Sequence, residues 1–593
     1  MRAPLRPLAR ILPARARGED TAPIEAESRR VRAREAGRRA HRTAQLRLAL
    51  LGLFFVGAYG AVGMKMAVIA ATPPAEPLRA GSAAPFVATR ADITDREGRV
   101  LATNLATAAL YVQVRDLVDP RRAADGLAAV FPDMDADRLH ARFTSGARFM
   151  WLRGSLSPEQ QQAVHDIGDP GLQLGRRERR LYPGGNLAAH VMGGVRFGDQ
   201  AVDAAEIVGI AGIEAAYDEW LSDPANEGAA LRLTLDTPIQ AAIEEVLAGA
   251  VGIYDALGAS AVLMHAETGE IVSIVSLPDF DPNDRPVPLL EGSPDESPLF
   301  NRAVQGVYEL GSVFKIFPAA QALELGLVEP WTMIDTKGPL RTGGFAVRDF
   351  RNYGDELSLT DVMVKSSNIG TGELALMIGP TRQRAFLDTL GMLDVTPVQL
   401  QEARRSVPLL PPRWGETASI TISYGHGLSV SPVHVAAGYA AMVNGGLLVE
   451  PTLVQGEGGP TGARVISEET SGQTRDMLRQ IVTRGTASMA EIPGYFLGGK
   501  TGTADKPRPT GGYYDDRVIA TFAGAFPMHD PEWVIVVTLD EPEETSGREV
   551  RRTAGWTAVP VAAEIVSRVA PLLGMAPDME RQDPHEFTRA AHE

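Results

Sequence analysis

The chain has 593 residues, of which 44% are hydrophobic and 22% charged, with a net charge of −16. That length predicts two or three domains rather than one. There is no cysteine, which excludes disulfides, thiolate catalysis and cysteine-based metal sites.

The charge is unevenly spread. Residues 1–47 hold 13 Arg against five Asp and Glu, a net +8, so the remainder carries −24. This arm is rich in Arg, Ala and Pro, has no sustained apolar periodicity, and reads as a largely disordered tail. A basic arm can serve nucleic acid. This one stops at an apolar run, which makes it a topology signal, and no nucleic-acid role is expected. Leu48–Ala71 is apolar except for Lys65. At about 1.5 Å per residue it can cross a bilayer core of roughly 30 Å. The arginines before it predict a cytoplasmic N-terminus, with the rest of the chain outside. Val68-Ile69-Ala70 also resembles a signal-peptide cleavage site, but the arm is much longer than a signal's charged region, which favours an uncleaved anchor. Thr72 to Gly81 is a Pro-rich linker.

Residues 72–228 form a second region of short mixed elements. Arg90 to Ala102 predicts strand, turn and strand around Gly98. Arg176 to Pro183 is dense in charge, and Gly209 to Asp218 leads into a short helix. All three phrases read as structural ion pairs and packing rather than catalysis.

Residues 229–575 form a third region. Leu231 to Asp236 predicts a strand. Thr237 caps the following helix, with Pro238 at its first position and Ile239, Ile243, Val246 and Leu247 on one face. Ser260 to Ser276 predicts a buried β-hairpin around Glu267 to Glu270. A mainly helical middle follows, and Pro318 predicts a kink or local irregularity in the helix that begins near Ser312. Tyr495 to Thr503, Val518 to Phe526 and Trp533 to Leu539 predict adjacent strands. Thr557 to Leu573 is a last helix, with Val561, Ile565, Val569 and Leu572 on one face. Residues 576–593 are a polar tail. A hairpin first, helices in the middle, and strands with a helix last predict one α+β domain whose antiparallel sheet, flanked by helices, gathers strands from both ends of the segment.

Three motifs in this region carry chemistry. Ser312 and Lys315 lie one helical turn apart. A serine hydroxyl needs a base, and a desolvated lysine near another cation can be that base. An S-x-x-K spacing alone is common. Here Ser366-Ser367-Asn368 and Lys500-Thr501-Gly502-Thr503 follow in order, completing the S-x-x-K, S-x-N, K-T-G set of penicillin-recognising serine enzymes. His426 sits in a Gly-rich turn, where a structural role fits better than that of a base. No metal-ligand cluster or phosphate loop accompanies the motifs, and no metal or cofactor is expected.

On these motifs the chain resembles the class B penicillin-binding proteins, which are peptidoglycan D,D-transpeptidases. The likeness covers roughly residues 48–575, and the short pedestal and the Tyr424 to Pro432 phrase are most similar to the division-specific FtsI type. The resemblance implies a serine β-lactamase-like catalytic domain on a non-catalytic pedestal of the dimerisation type. It implies that Ser312 attacks the penultimate D-alanine carbonyl of a stem peptide and that Lys315 is its base. Ser366 would relay the proton, and Asn368 would hold the substrate and order the lysines. Lys500 would set the positive field, and Thr501 and Thr503 would bind the substrate carboxylate. Gly502 would leave room for the substrate. The Ser312 and Thr503 N–H groups would form the oxyanion hole. Implied partners are stem peptides, β-lactams, an FtsW-type glycan polymerase, other division proteins and the inner membrane. Leu310 departs from the Pro that many members carry before Gly-Ser, which touches turn rigidity rather than chemistry. Other readings are an elongation-type transpeptidase, a β-lactamase, or a non-catalytic sensor or scaffold that binds β-lactam or peptidoglycan. No Glu-containing loop of a deacylating kind is evident, which counts against the β-lactamase.

Overall fold

The computed structural model describes residues 8–71, 90–197, 207–226, 228–508 and 510–581. The chain divides into two compact units, Met1–Ala84 and Pro85–Glu593. In the first, α1 (Leu8–Ala16) is followed by α2 (Ala22–Ala71). The basic arm is therefore helical in its described part, contrary to the disordered tail expected. Ala, Arg and Glu are strong helix formers, and their propensity carries the helix without an apolar face. Within α2, Gln45–Met66 is long and apolar enough to cross a membrane. The Pro-rich linker of residues 72–81 lies outside the described residues, as does the tail from residue 582.

In the second unit, β1 (Asp92–Thr94) turns at Gly98 into the long β2 (Val100–Gln113), as the sequence predicts. Then come α3 (Pro120–Val130), α4 (Ala136–Phe143), β3 (Phe149–Leu156), α5 (Pro158–Ile167) and β4 (Leu172–Leu181). β2 lies between β3 and β4, antiparallel to both. Leu110, Val112, Leu127, Phe131, Phe143 and Leu156 close a separate small core there. β5 (Ala230–Arg232) lies parallel to β1 and is shorter than the strand expected over Leu231 to Asp236.

α6 (Thr237–Ile253) is capped by Asp236, whose carboxylate accepts from the Ile239 N–H, not by Thr237. The Thr237 hydroxyl instead donates to Asp95 at 2.6 Å. Asp236 lies one position earlier, where its carboxylate meets the free N–H groups of the first turn. β6 (Gly258–His265) and β7 (Ile271–Leu277) are the expected hairpin. A 3₁₀ turn over Gly311–Lys315 leads into α7 (Ile316–Glu324). Pro318 thus falls in the first turn of α7, where a missing N–H costs nothing, and the irregularity precedes it. α8 (Leu359–Lys365), α9 (Asn368–Ile378), α10 (Pro432–Val443) and α11 (Glu468–Arg484) follow. Then come β8 (Gly498–Pro507), β9 (Tyr513–Phe526), β10 (Trp533–Asp540) and α12 (Ala558–Leu572). β8 starts later and runs longer than the strand expected over Tyr495 to Thr503, because its pairing with β9 begins only at Gly498. Leu572, expected on the buried face of α12, is exposed at the helix end.

The main sheet has the order β8-β9-β10-β6-β7 and is antiparallel throughout. It does gather strands from both ends of the region. β7 and β10 are buried along their whole length, which is why they read as unbroken apolar runs rather than alternating ones. α6 and α12 pack together on the sheet, and α10 and α11 pack on it as a second pair. β8 ends the sheet, and beside it stands the Gly311–Lys315 turn.

The three phrases that begin at Arg90, Arg176 and Gly209 converge on one carboxylate. Glu214 is fully buried and meets Arg90 Nε and Arg180 Nε, each at 2.6 Å. The Tyr182 hydroxyl donates to it at 3.2 Å, and Arg90 also pairs with Asp218 at 2.7 Å. The expected structural role is what these groups perform. Ile93, Leu101, Tyr182 and Ile213 join the same apolar core as Ile243 and Val262. Removing one member of a buried charge cluster leaves the others uncompensated, at a cost of about 3–5 kcal/mol. Glu214→Gln should lower unfolding stability by that amount in a urea titration. An unchanged midpoint would show that the network contributes nothing.

Candidate functional site

The three motifs meet at the edge of the sheet. In the 3₁₀ turn, residues i and i+3 eclipse, so Ser312 and Lys315 align more closely than an α-helix would allow. The turn is held from behind by the Tyr439 hydroxyl, which donates to Val313 O at 2.7 Å. Ser312 is half-buried, whereas Lys315 is completely buried.

Lys315 Nζ lies 2.5 Å from Ser366 O, 3.1 Å from Ser366 Oγ and 2.7 Å from Asn368 Oδ1. Ser366 ends α8 in the left-handed conformation, φ 62°, which costs a non-glycine residue about 1–2 kcal/mol. That conformation turns both its carbonyl and its hydroxyl toward one amine. Lys500 Nζ, also fully buried, donates to Ser366 Oγ at 2.9 Å and to Thr501 O at 3.1 Å. One serine hydroxyl therefore bridges two lysines.

Burial, reinforced by the Lys500 charge, pulls the Lys315 amine well below the ordinary lysine value, against an opposing pull from Asp349. Burial lowers Lys500 to about 7. A neutral Lys315 has two N–H donors and one lone pair. Ser366 O and Asn368 Oδ1 can only accept, so they take both donors. The lone pair is left for a hydroxyl proton, which is the requirement for a base serving a serine.

Ser367 begins α9 as its cap, accepting from the Gly370 N–H. Asp349 accepts from the Ser367 hydroxyl at 2.7 Å and from the Asn368 and Ile369 N–H groups at 2.5 and 3.0 Å. A carboxylate at a helix N-terminus is favoured by the helix dipole, and here it fixes the residue that orients Lys315. Sequence reasoning missed Asp349. It lies in a loop with no motif spacing, and the signal was a helix start at Asn368 in need of an anion.

On β8, the Thr501 hydroxyl is 2.7 Å from that of Thr486, and Thr503 Oγ1 accepts from the Ala554 N–H. Gly502 has a steric reason: a Cβ there would come 2.1 Å from Leu310 O. The Tyr424 to Ser431 loop packs on the other side of the turn. Gly425 has φ +87°, a Cβ on it would strike Gly311 O, and its carbonyl accepts from the Gly311 N–H. The structure thus brings together Ser312, Lys315, Ser366, Asn368, Lys500, Thr501, Gly502 and Thr503.

The penicillin binding protein transpeptidase domain family matches residues 259–567, and the penicillin-binding protein dimerisation domain family matches residues 85–226. The chain is 34% identical to a probable peptidoglycan D,D-transpeptidase FtsI of Caulobacter vibrioides, over 82% of each chain. It is 29% identical to the peptidoglycan D,D-transpeptidase FtsI of Escherichia coli K12, over 84% of this chain and 86% of that one. Penicillin binding protein 3 of Mycobacterium tuberculosis, solved with aztreonam, matches with a TM-score of 0.62 at 27% identity, covering 84% of this chain and 99% of that one.

Two outcomes follow from the geometry. Acylation by a penicillin should fall in acid, as Lys315 takes up a proton, and fall again as pH rises through about 7 and Lys500 loses its charge. Lys500→Arg should move the alkaline limb upward, because a guanidinium stays charged. A flat profile from pH 5 to 9 would contradict this. Asp349→Ala should slow acylation about 100-fold through misplacement of Asn368, measured by stopped-flow with a fluorescent penicillin. A rate within a factor of two of the unsubstituted chain would remove Asp349 from the site.

Proposed function

The chain belongs to the penicillin-binding protein transpeptidase family, and we propose that it is a serine-type peptidoglycan D,D-transpeptidase that crosslinks stem peptides at the division septum. The observation that carries the reading is the burial of Lys315 against Ser366, Asn368 and the second lysine, Lys500.

Ser312 Oγ gives its proton toward neutral Lys315 and attacks the penultimate D-alanine carbonyl. The oxyanion is received by the Ser312 and Thr503 N–H groups, and removing one such donor costs about 10²–10³ in rate. Ser366, bridging both amines, passes the proton to the leaving D-alanine. Asn368 holds the substrate backbone, while Lys500, Thr501 and Thr503 take its terminal carboxylate. An amine of a second stem then resolves the acyl-enzyme. A β-lactam enters the same way and remains on Ser312.

The domain reading that goes with this function is a basic segment over residues 1–47, an anchor over 48–71, a pedestal over 72–228, a catalytic domain over 229–575 and a tail over 576–593. The apolar stretch Gln45–Met66 supports a single crossing of the inner membrane. The arginines before it support a cytoplasmic N-terminus and a periplasmic catalytic domain. The septal role rests on the two relatives named FtsI. A pedestal too small for glycan polymerisation leaves that step to a membrane polymerase of the FtsW kind, docking with other division proteins on the anchor and pedestal.

Membranes containing the chain should show one covalent band with a fluorescent penicillin. The band should disappear in Ser312→Ala and fall by about 10³ or more in Lys315→Ala. A folded, membrane-bound chain that takes no label would sink the transpeptidase reading.

A further inference from the structure

The carboxylate side of the site is accounted for, but the opposite side of the Ser312 turn carries groups that the mechanism above does not use. His426 stands on the loop that packs against Gly311. Its ring centroid lies 5.4 Å from that of Tyr424 and 6.0 Å from that of Tyr513. Nδ1 is enclosed and makes no side-chain hydrogen bond among the described residues, and the Tyr424 backbone acts on the ring. Glu309, three residues before Ser312, accepts from the Gly427 N–H at 2.7 Å and from the Tyr513 hydroxyl at 3.0 Å. Both of these partners are neutral. Asp505 follows Thr501 and Thr503 at alternate positions of β8, so it continues the same face of the strand, and its carboxyl is exposed at the outer end.

The charged groups that act on His426 are Glu309, Asp505 and Lys315. Burial pulls the imidazole below its ordinary value. The two carboxylates pull it up, and Lys315 pushes it down. His426 is thus neutral at neutral pH, beside two negative charges. The site is therefore polar in the electrical sense. One side, at Lys500, is positive and suits a carboxylate; the other, at Glu309 and Asp505, is negative and suits an ammonium.

We propose that Glu309, His426 and Asp505 form the acceptor side of the site, where the incoming amine docks as its ammonium and gives one proton to His426 Nε2. This rests on the transpeptidase reading and names the substrate class of its second half: an amine that arrives protonated. The ammonium loses a proton to His426 and becomes a free amine. Its nitrogen then attacks the acyl carbonyl, so a C–N bond forms and the C–Oγ bond to Ser312 breaks. The second amine proton goes to Ser312 Oγ. The imidazolium returns its proton to solvent. Opposite charges on the two sides also sort two stem peptides of the same composition, because one is bound by its carboxylate and the other by its amine.

The test separates the two half-reactions in the full chain in detergent micelles. An acyl-D-alanyl thioester serves as donor. Nα-acetyl-lysine amide serves as a cationic acceptor with no carboxylate, and hydroxylamine as an acceptor that is already neutral. Products are resolved into transfer and hydrolysis. A general base contributes about 10²–10⁴-fold. His426→Gln should therefore lower transfer to the lysine amine at least about 10-fold relative to hydrolysis, and leave transfer to hydroxylamine within about threefold. Asp505→Asn, on an exposed position, should lower the first and spare the second. In the unsubstituted chain, the ratio of transfer to the lysine amine over hydrolysis should drop as pH falls and His426 becomes charged, and His426→Gln should abolish that drop in the ratio while leaving the acid fall in acylation. Equal losses with both acceptors would overturn the proposal in favour of a packing role. Unchanged ratios would overturn it too, as would loss of penicillin labelling in the variants alone. If the unsubstituted chain itself takes no penicillin, the transpeptidase reading fails first.

Discussion

The site depends on two lysine amines kept out of water around one hydroxyl. Lys315 Nζ and Lys500 Nζ both lie within 3.1 Å of Ser366 Oγ, so they are no more than about 6 Å apart. At an effective dielectric of about 20, two ammonium charges at that distance repel by about 3 kcal/mol. Burial adds to the cost of each charge. Both cannot be charged at neutral pH, and the surroundings decide which one yields. Lys315 has acceptors for two N–H groups and a hydroxyl for its lone pair. Lys500 is held by Ser366 Oγ and Thr501 O at the sheet edge.

The rest of the unit holds that arrangement in place. A sheet buried on both faces presents β8 as an edge, and the Gly311–Lys315 turn stands against that edge only because Gly502 and Gly425 have no side chain. Asp349 caps α9 and so fixes Asn368. Tyr439 holds Val313 from behind. Each contact joins separate segments of the chain, and each removes freedom from a residue of the three motifs or its neighbour.

Much of this was legible in the residues. The three motifs appear in order, the hairpin Ser260 to Ser276 and the two strands up to Phe526 and from Trp533 are visible as apolar runs, though the first begins at Tyr513 rather than Val518, and the charged phrases near Arg90, Arg180 and Glu214 read as structural. What escaped reading had local causes. A disordered arm was expected over residues 1–47 because it has no apolar face, yet Ala and Arg sustain a helix by propensity alone. Thr237 and Asp236 are both good caps by residue type, and only the backbone shows which of the two neighbours occupies the position. The irregularity expected at Pro318 lies just before it, as the 3₁₀ turn that puts Pro318 into a first turn. Asp349 and Glu309 carried no spacing that would set them apart from other acidic residues.

By itself the sequence determined the motif set. Ser312, Lys315, Ser366, Asn368 and the Lys500 to Thr503 run are covalently ordered, and their order and spacing are what point to a serine with a lysine base. It also determined the membrane-length helix, since length and composition are local properties. Tertiary structure alone decided the protonation of the lysines, because desolvation and mutual repulsion arise only once Lys315 and Lys500 share one hydroxyl. It also decided that Asp349 supports Asn368 and that Glu309, Tyr513 and His426 stand together beside the Gly311–Lys315 turn. Residues that act through space carry no mark of it along the chain until folding brings them within a few ångströms.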